Sequence, residues 1–162
     1  MELILLRHGK AEVTHAQGDS ARALVEKGRQ QARRAGILLK AANLTPEIVL
    51  TSPLVRAVQT AEDFCHAAGL PGPVVQNWLA CGCFPETALA ELTTFHDFKR
   101  VAIVGHEPDL SRLIQWCLGA YGVAIEMKKG ALACLRLNPP SRYGTLLYLF
   151  PSKLAKQEIE DR

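Results

Sequence analysis

Two histidines in this chain come directly after short apolar runs. His8 follows residues 3–6 and Arg7, and His106 follows residues 101–105. Short aliphatic runs beside glycine predict buried parallel strands, and in open α/β sheets the reactive side chains lie where such strands end. We therefore expect both histidines to face one crevice at the same edge of a sheet.

A third apolar run adds a second arginine to this edge. Residues 48–52 form the run, and Pro53 then opens a predicted helix that carries Arg56 in its first turn. Planar guanidinium groups bind oxyanions through paired hydrogen bonds. Two arginines and two histidines that converge on one edge predict an anion-binding site.

Length and composition favour one folded domain. The chain has 162 residues, of which 48% are hydrophobic and 22% are charged. At this length a single domain over residues 1–162 can bury roughly 70% of its unfolded surface, so a folded enzyme or binding module is expected rather than disorder. The net charge of +3 and the scattered lysines and arginines do not indicate a nucleic-acid partner.

The sequence gives no reason to expect a membrane segment or a disulfide framework. No stretch approaches the roughly 20 apolar residues that cross a bilayer, and charged residues interrupt any signal-peptide pattern near the start. The five cysteines are odd in number and irregularly spaced, which indicates reduced thiols and a cytoplasmic protein. The pair Cys81 and Cys83 lacks further ligands at metal spacing, so no metal site is predicted and the role of the pair stays open.

Strand and helix patterns alternate along the chain. The predicted helices cover residues 20–42, with a break near Gly28, and residues 53–68, 85–96 and about 106–118. The predicted strands cover residues 3–6, 48–52, 74–75, 101–104, 131–137 and 145–150. This order predicts a three-layer α/β/α sandwich with a mostly parallel sheet, an antiparallel hairpin of the last two strands at its edge, and a helical or frayed tail from Lys153.

The motifs at the three strand ends resemble those of a known family. The segment Arg7-His8-Gly9, residues 52–60 and the pair Gly105-His106 resemble, in that order, the histidine phosphatase superfamily, whose fold is phosphoglycerate mutase-like. Residues 19–24 with Gly28, residues 105–108 and the tail at Pro151 are similar to the SixA-like phosphohistidine phosphatase branch. The resemblance spans nearly the whole chain.

The resemblance implies a role for each residue of the predicted site. His8 is the nucleophile that forms a covalent phosphohistidine, and Arg7 and Arg56 clamp the phosphoryl oxygens. His106 hydrogen-bonds those oxygens and, when protonated, stabilises charge in the transition state. Arg22 is either an additional substrate contact or a surface arginine of the predicted helix. This scheme requires neither a metal nor another cofactor.

Other polar residues in these motifs have structural interpretations. Ser52 and Thr60 are interpreted as capping or packing residues, and Glu107 as support for the start of a helix. Trp78 either belongs to the core or borders the mouth of the pocket. The remaining histidines lack matching partners and are expected at the surface; they are His15, His66 and His96.

A carboxylic acid is missing where relatives of this superfamily commonly carry one. Residues 77–81 contain no carboxylate, and an alkoxide leaving group needs a delivered proton that is typically worth about 10²–10⁴ in rate. A phosphohistidine needs less help because its protonated imidazole leaves as a neutral ring. The missing acid therefore favours a phosphohistidine substrate, unless Glu86 or Glu107 folds into the site.

The resemblance to the SixA-like branch implies a signal-transduction partner. The expected substrate is a phosphorylated protein such as a histidine phosphotransfer domain or a phosphotransferase-system carrier. One alternative is a phosphatase for a small phosphomonoester, and another is a phospho-binding module without turnover. A dinucleotide-binding protein is excluded because no G-x-G-x-x-G follows the first strand.

Overall fold

Strands and helices alternate along residues 1–156, which are the residues described by the computed structural model. The strands are β1 (Glu2–Arg7), β2 (Ile48–Thr51), β3 (Val74–Val75), β4 (Arg100–Gly105), β5 (Leu132–Leu137) and β6 (Gly144–Phe150). The α-helices are α1 (Glu26–Ala41), α2 (Val55–Ala68), α3 (Pro85–Leu92) and α4 (Asp109–Leu118).

The strands form one sheet in the order β3-β2-β4-β1-β5-β6. Strand β4 pairs in parallel with both β1 and β2, and β2 pairs in parallel with β3. Strand β5 runs antiparallel to β1 and forms an antiparallel hairpin with β6 at the sheet edge. The mostly parallel sheet and its edge hairpin are thus confirmed.

The side chains of β1 alternate between two hydrophobic cores. Leu3 and Leu5 are fully buried in the core that includes residues of α3 and α4. Ile4 and Leu6 are equally buried on the opposite face, in the core that includes residues of α1 and α2. Because successive strand residues point to opposite faces, one apolar run serves both cores. The three-layer α/β/α arrangement is confirmed.

The long helix predicted for residues 20–42 is wrong at its beginning. Asp19–Ala21 form a 3₁₀ turn, and α1 begins only at Glu26. Leu24 instead forms an antiparallel bridge with Ala11 and donates its backbone N–H to Gln59 Oε1 at 2.7 Å. These long-range backbone bonds override the local helix propensity of the segment.

Gly28 does not break α1, contrary to the prediction. It lies in the first turns of the helix, where its missing side chain lets the backbone of Lys10 come close. A Cβ atom at Gly28 would lie 2.8 Å from the Lys10 backbone nitrogen and closer still to the carbonyl oxygen. Glycine is therefore required here by packing rather than by backbone conformation.

The other predicted elements differ only at their ends. Helix α2 begins at Val55 rather than Pro53, and α3 ends at Leu92 and continues as a 3₁₀ turn over Thr93–Phe95. Of the predicted tail, Leu154–Lys156 form a 3₁₀ turn, and residues 157–162 lie outside the described residues. No helix in the described part of the chain is both long and apolar enough to cross a membrane.

The replacement Gly28→Ala tests the close approach of α1 to the strand-end segment. We expect it to lower the free energy of unfolding by about 1–3 kcal/mol, because the new methyl group overlaps the Lys10 backbone. Urea denaturation measures the change. Gly72→Ala is the matched control, since a Cβ there meets no atom within 4 Å. Equal stability of the two variants would contradict the proposed packing constraint.

Candidate functional site

Backbone hydrogen bonds bring the carboxyl ends of three adjacent strands together. The His8 N–H donates to the Gly105 carbonyl at 3.1 Å, and the Ser52 N–H donates to the Val104 carbonyl at 3.0 Å. His8, Ser52 and His106 therefore lie side by side just beyond β1, β2 and β4. The predicted convergence of the two histidines on one edge is confirmed.

His8 is buried and has one nitrogen already engaged. Its Nδ1 lies 2.8 Å from the Gly9 carbonyl oxygen, and because a carbonyl oxygen only accepts, Nδ1 carries the proton and Nε2 keeps its lone pair. Burial lowers the pKa of His8 to about 3, with smaller contributions from the charges of His106, Arg56 and Arg7, while the Gly9 hydrogen bond opposes the shift. The imidazole is thus neutral and nucleophilic at neutral pH.

His106 faces His8 across the site. The two ring centroids are 5.2 Å apart with the rings tilted by 55°. His106 Nε2 lies 2.7 Å from Ser52 Oγ, which fixes the orientation of the ring. Burial, followed by the charge of Arg56, lowers the pKa of His106 to about 4. Ser52 therefore positions a site residue, a role that the sequence interpretation missed.

Arg56 is almost fully buried at the beginning of α2. Its Nη1 donates to the Asp19 carbonyl at 2.8 Å, and its Nη2 lies 3.0 Å from Asp19 Oδ2. The Thr60 hydroxyl donates to the Arg56 carbonyl at 2.7 Å and accepts the Gly9 N–H at 3.0 Å. Thr60 consequently fixes the start of α2 to the segment that carries His8.

Arg7 reaches the site from the end of β1. Its Nη1 donates to the Met127 carbonyl at 2.8 Å. Within residues 1–156, three buried nitrogens around the site have no hydrogen-bond partner: Arg7 Nε, Arg56 Nε and His106 Nδ1. Buried polar groups are normally satisfied, so this arrangement suits an oxygen-rich anionic ligand.

Arg22 lies beside the same carboxylate as Arg56. Its Nε is 2.9 Å from Asp19 Oδ1, and its Nη1 donates to the Glu12 carbonyl at 2.8 Å. The alternative of a surface arginine within a long helix is wrong, because Arg22 follows a 3₁₀ turn and is held toward the site. Direct contact between Arg22 and a substrate stays a prediction.

Asp19 is the acidic residue at the site that the sequence interpretation did not single out. Its exposed carboxylate joins the guanidinium groups of Arg22 and Arg56. The hydrogen bond from Arg56 and the charge of that arginine lower the pKa of Asp19, so the carboxylate is ionised. The available signal was its position as the first residue of the D-x-x-R stretch that ends at Arg22.

The carboxylates considered for acid catalysis, Glu107 and Glu86, and the nearby Asp109 have different surroundings. Glu107 accepts hydrogen bonds from the Ser111 backbone and hydroxyl, so its predicted support of the helix start is confirmed. Glu86 is exposed in the first turn of α3. Asp109 accepts the Gly82 N–H at 2.7 Å and thereby anchors the adjoining loop.

The cysteine pair and Trp78 lie in that loop region. Cys81 is exposed with its Sγ 3.9 Å from Arg56 Nη2, and burial raises the pKa of the Cys83 thiol to about 11. Trp78 packs against the core and donates to Gln76 Oε1 at 3.0 Å.

In the described part of the chain, no group of three His, Cys, Asp or Glu residues is arranged to hold a metal ion. His15, His66 and His96 are exposed, as predicted.

Comparison with known sequences identifies the family. A protein of Picosynechococcus sp. without an assigned function is 34% identical over 145 residues, which cover 84% of this chain and 85% of that protein. The sequence model of the histidine phosphatase superfamily (branch 1) matches residues 3–78. The chain belongs to the histidine phosphatase superfamily. The recognised motifs and the fold are thereby confirmed.

Two further relatives of the superfamily differ in how much of their length is matched. The 2,3-bisphosphoglycerate-dependent phosphoglycerate mutase of Corynebacterium diphtheriae is 42% identical over 81 residues, which are 48% of this chain but only 33% of the mutase. The solved structure of the protein histidine phosphatase SixA complexed with tungstate superimposes with a TM-score of 0.87. That match is 27% identical and covers 96% of this chain and 100% of SixA.

The two buried histidines predict a pH-dependent stability. Their pKa values, about 3 for His8 and about 4 for His106, lie below the ordinary value of 6.5, so the unfolded chain binds protons first as the pH falls. We expect the free energy of unfolding to decrease from about pH 6.5 to about pH 3. Denaturant titrations should show a smaller decrease in the variant His8→Asn/His106→Asn. The exposed His66→Asn should follow the wild-type curve, and an unchanged decrease in the double variant would contradict this origin.

Asp19→Asn tests whether the ionised carboxylate competes with anions for the arginines. We expect inorganic phosphate to inhibit this variant at about three- to tenfold lower concentration, because one negative charge beside Arg22 and Arg56 is removed. The inhibition constant for phosphate is the measurement. Asp63→Asn is the matched control, since Asp63 also pairs with two arginines, Arg29 and Arg33. Weaker phosphate binding by Asp19→Asn would show that the carboxylate instead preorganises the site.

Proposed function

We propose that this protein is a phosphohistidine phosphatase that acts on a phosphorylated protein through a covalent phosphohistidine on His8. One observation carries the proposal: a neutral imidazole with a free Nε2 is buried among guanidinium groups, whereas the carboxylate beside them is ionised. The site thus supplies a nucleophile and an anion clamp, and the carboxylate paired with that clamp is ionised.

In the first step, His8 Nε2 attacks phosphorus in line with the bond that joins the phosphoryl group to the substrate. A nitrogen–phosphorus bond to His8 forms while the substrate's own nitrogen–phosphorus bond breaks. Arg7 and Arg56 hold the equatorial oxygens, and His106 contributes a further hydrogen bond to them. In this proposal Arg22 adds a further contact to the phosphoryl oxygens.

In the second step, water attacks the phosphorus of the His8 adduct. The bond to His8 Nε2 breaks, inorganic phosphate forms, and the neutral imidazole is regenerated. The Gly9 carbonyl keeps the proton on Nδ1 throughout, so Nε2 is ready for the next cycle. Ser52 maintains the orientation of His106 in both steps.

The leaving group favours phosphohistidine over a phosphoester. A phosphohistidine that carries a proton on its far nitrogen releases a neutral imidazole, so it needs no acid from the enzyme. A phosphoester releases an alkoxide, which requires a proton donor. Arg56 lowers the pKa of Asp19, so this carboxylate is poorly suited to that task.

The likeness to SixA supports a protein substrate, such as a histidine phosphotransfer domain or a phosphotransferase-system carrier. A role in signal transduction follows from such a partner. The five free cysteines support a cytoplasmic location, where thiols stay reduced. The nucleophile, the arginine clamp and the second histidine distinguish this proposal from a binding module without turnover.

The proposal predicts turnover that depends on His8 and prefers phosphohistidine. We expect phosphate release from a phosphohistidine-carrying histidine phosphotransfer domain to exceed release from a panel of phosphomonoesters by at least about 10²-fold in kcat/KM, without added metal. His8→Ala should abolish turnover and the acid-labile phosphoenzyme, and Arg56→Ala should reduce kcat/KM by about 10²–10³-fold.

His96→Ala serves as the matched control because that histidine is exposed and outside the site. Circular dichroism spectra verify that each variant is folded. A preference for one phosphomonoester would assign the protein to the small-molecule alternative. Phosphoprotein binding without phosphate release would assign it to the non-catalytic alternative, and full activity of folded His8→Ala would disprove the nucleophile.

A further inference from the structure

A basic groove begins at the candidate site and extends away from it. The groove has a volume of about 730 Å³, and Arg7 lines it where it meets the site. Four separate parts of the chain supply its remaining cationic side chains, which are Lys10, Lys27, Arg34, Lys128, Lys129 and Lys153. Glu126 is the acidic side chain among the lining residues.

Most of this positive charge is uncompensated. Lys128 lies 3.9 Å from Glu126. Within residues 1–156, none of the other five basic side chains in that set forms a salt bridge. The groove therefore presents an extended positive potential to solvent.

Lys129 connects the groove electrostatically to the candidate site. The pKa of its ammonium group is lowered first by burial and then by the charges of Arg7, Arg22, Lys10 and Arg56. A cation placed among four others is stabilised by a nearby anion. An anionic ligand in the groove would thus interact with the same charges that surround the phosphoryl position.

Gln31 fixes the backbone around the groove. Its Oε1 accepts the Lys10 N–H at 2.9 Å, and its Nε2 donates to the Lys129 carbonyl at 3.1 Å and to Ser152 Oγ at 3.4 Å. This side chain of α1 thereby joins its helix to the three other segments that form the walls. The groove has a fixed base from which flexible lysine side chains project.

The type and placement of the hydrogen-bond donors in the groove indicate which class of anion it binds. A second phosphate group is normally bound by convergent, preorganised donors, but here the amide of Gln31 is already used by the protein itself. Lysine ammonium groups on flexible stems, spread along an open groove, instead suit several separate carboxylates. The groove also adjoins the site, so a substrate surface can occupy both at once.

We propose that this groove binds an acidic segment of the protein substrate next to its phosphohistidine. The inference rests on the proposed function and adds the chemistry of the partner: aspartate and glutamate side chains that flank the phosphorylated histidine. Binding through long-range charge pairs raises the rate of association and weakens with salt.

Phosphohistidine peptides with flanking Asp and Glu, or with Asn and Gln in the same places, test the groove directly. We expect the wild-type enzyme to show about tenfold higher kcat/KM on the acidic peptide at low ionic strength, with the preference lost at about 0.5 M salt. The variant Lys27→Glu/Lys153→Glu should lose the preference. Its turnover of phosphoramidate, which is too small to reach the groove, should equal that of the wild type.

The variant Lys40→Glu/Lys99→Glu is the matched control, because it makes the same charge change at exposed lysines that do not line the groove. It should keep the preference for the acidic peptide. Equal kcat/KM for both peptides on the wild type, or equal loss in the control variant, would overturn the proposal. Stronger inhibition of acidic-peptide turnover by tripolyphosphate than by the unphosphorylated acidic peptide would also overturn the proposal. That result would assign the groove to a small polyanion.

A failure of the proposed phosphatase function gives a different result from a failure of the groove proposal. If the wild type releases no phosphate from phosphoramidate or from either peptide, the phosphatase proposal fails. Fluorescence anisotropy of the labelled unphosphorylated acidic peptide then still tests the groove. Binding that is lost in Lys27→Glu/Lys153→Glu but not in the control variant supports the groove, and absence of binding overturns it.

Discussion

The concentration of positive charge around a buried imidazole is the constraint that organises this site. Burying a guanidinium group costs several kcal/mol unless it is paired, and Arg56 is paired with the exposed carboxylate of Asp19. Burial is the main cause that lowers the pKa of His8 and His106, and the charges of the same guanidinium groups lower it further. Burial and positive charge therefore act together to keep both imidazoles neutral.

This arrangement depends on the sheet for its precision. Parallel pairing of β4 with both β1 and β2 aligns three strand ends, and backbone hydrogen bonds continue that alignment as far as His8 and Ser52. Thr60 then joins α2 to the segment after β1, because its hydroxyl accepts the Gly9 N–H while it donates to the Arg56 carbonyl within α2. Side chains supported by strand ends and a helix start are held more rigidly than side chains on loops alone.

The features that were predictable from the sequence are those with a local signature. Apolar runs that end at polar residues located β1, β2 and β4, and with them both histidines. The segment from Asp19 to Val25 was not predictable, because its helix-favouring residues are held in another conformation by the bridge between Leu24 and Ala11 and by the Leu24–Gln59 hydrogen bond. The contact of Ser52 with His106 and the groove around Gln31 each join parts distant in sequence, so spacing alone carries no signal for them.

The charge of the site also constrains the leaving group. Stronger binding of a phosphoryl dianion requires more positive potential, yet the same potential lowers the pKa of any carboxylic acid close enough to protonate an ester oxygen. Asp19 illustrates the conflict, since Arg56 is its ion-pair partner and also lowers its pKa below the ordinary value of 3.8. A phosphohistidine avoids the conflict because the proton that makes its imidazole a good leaving group is on the substrate. The pairing of Asp19 with the arginines is therefore consistent with the nitrogen–phosphorus substrate that we propose.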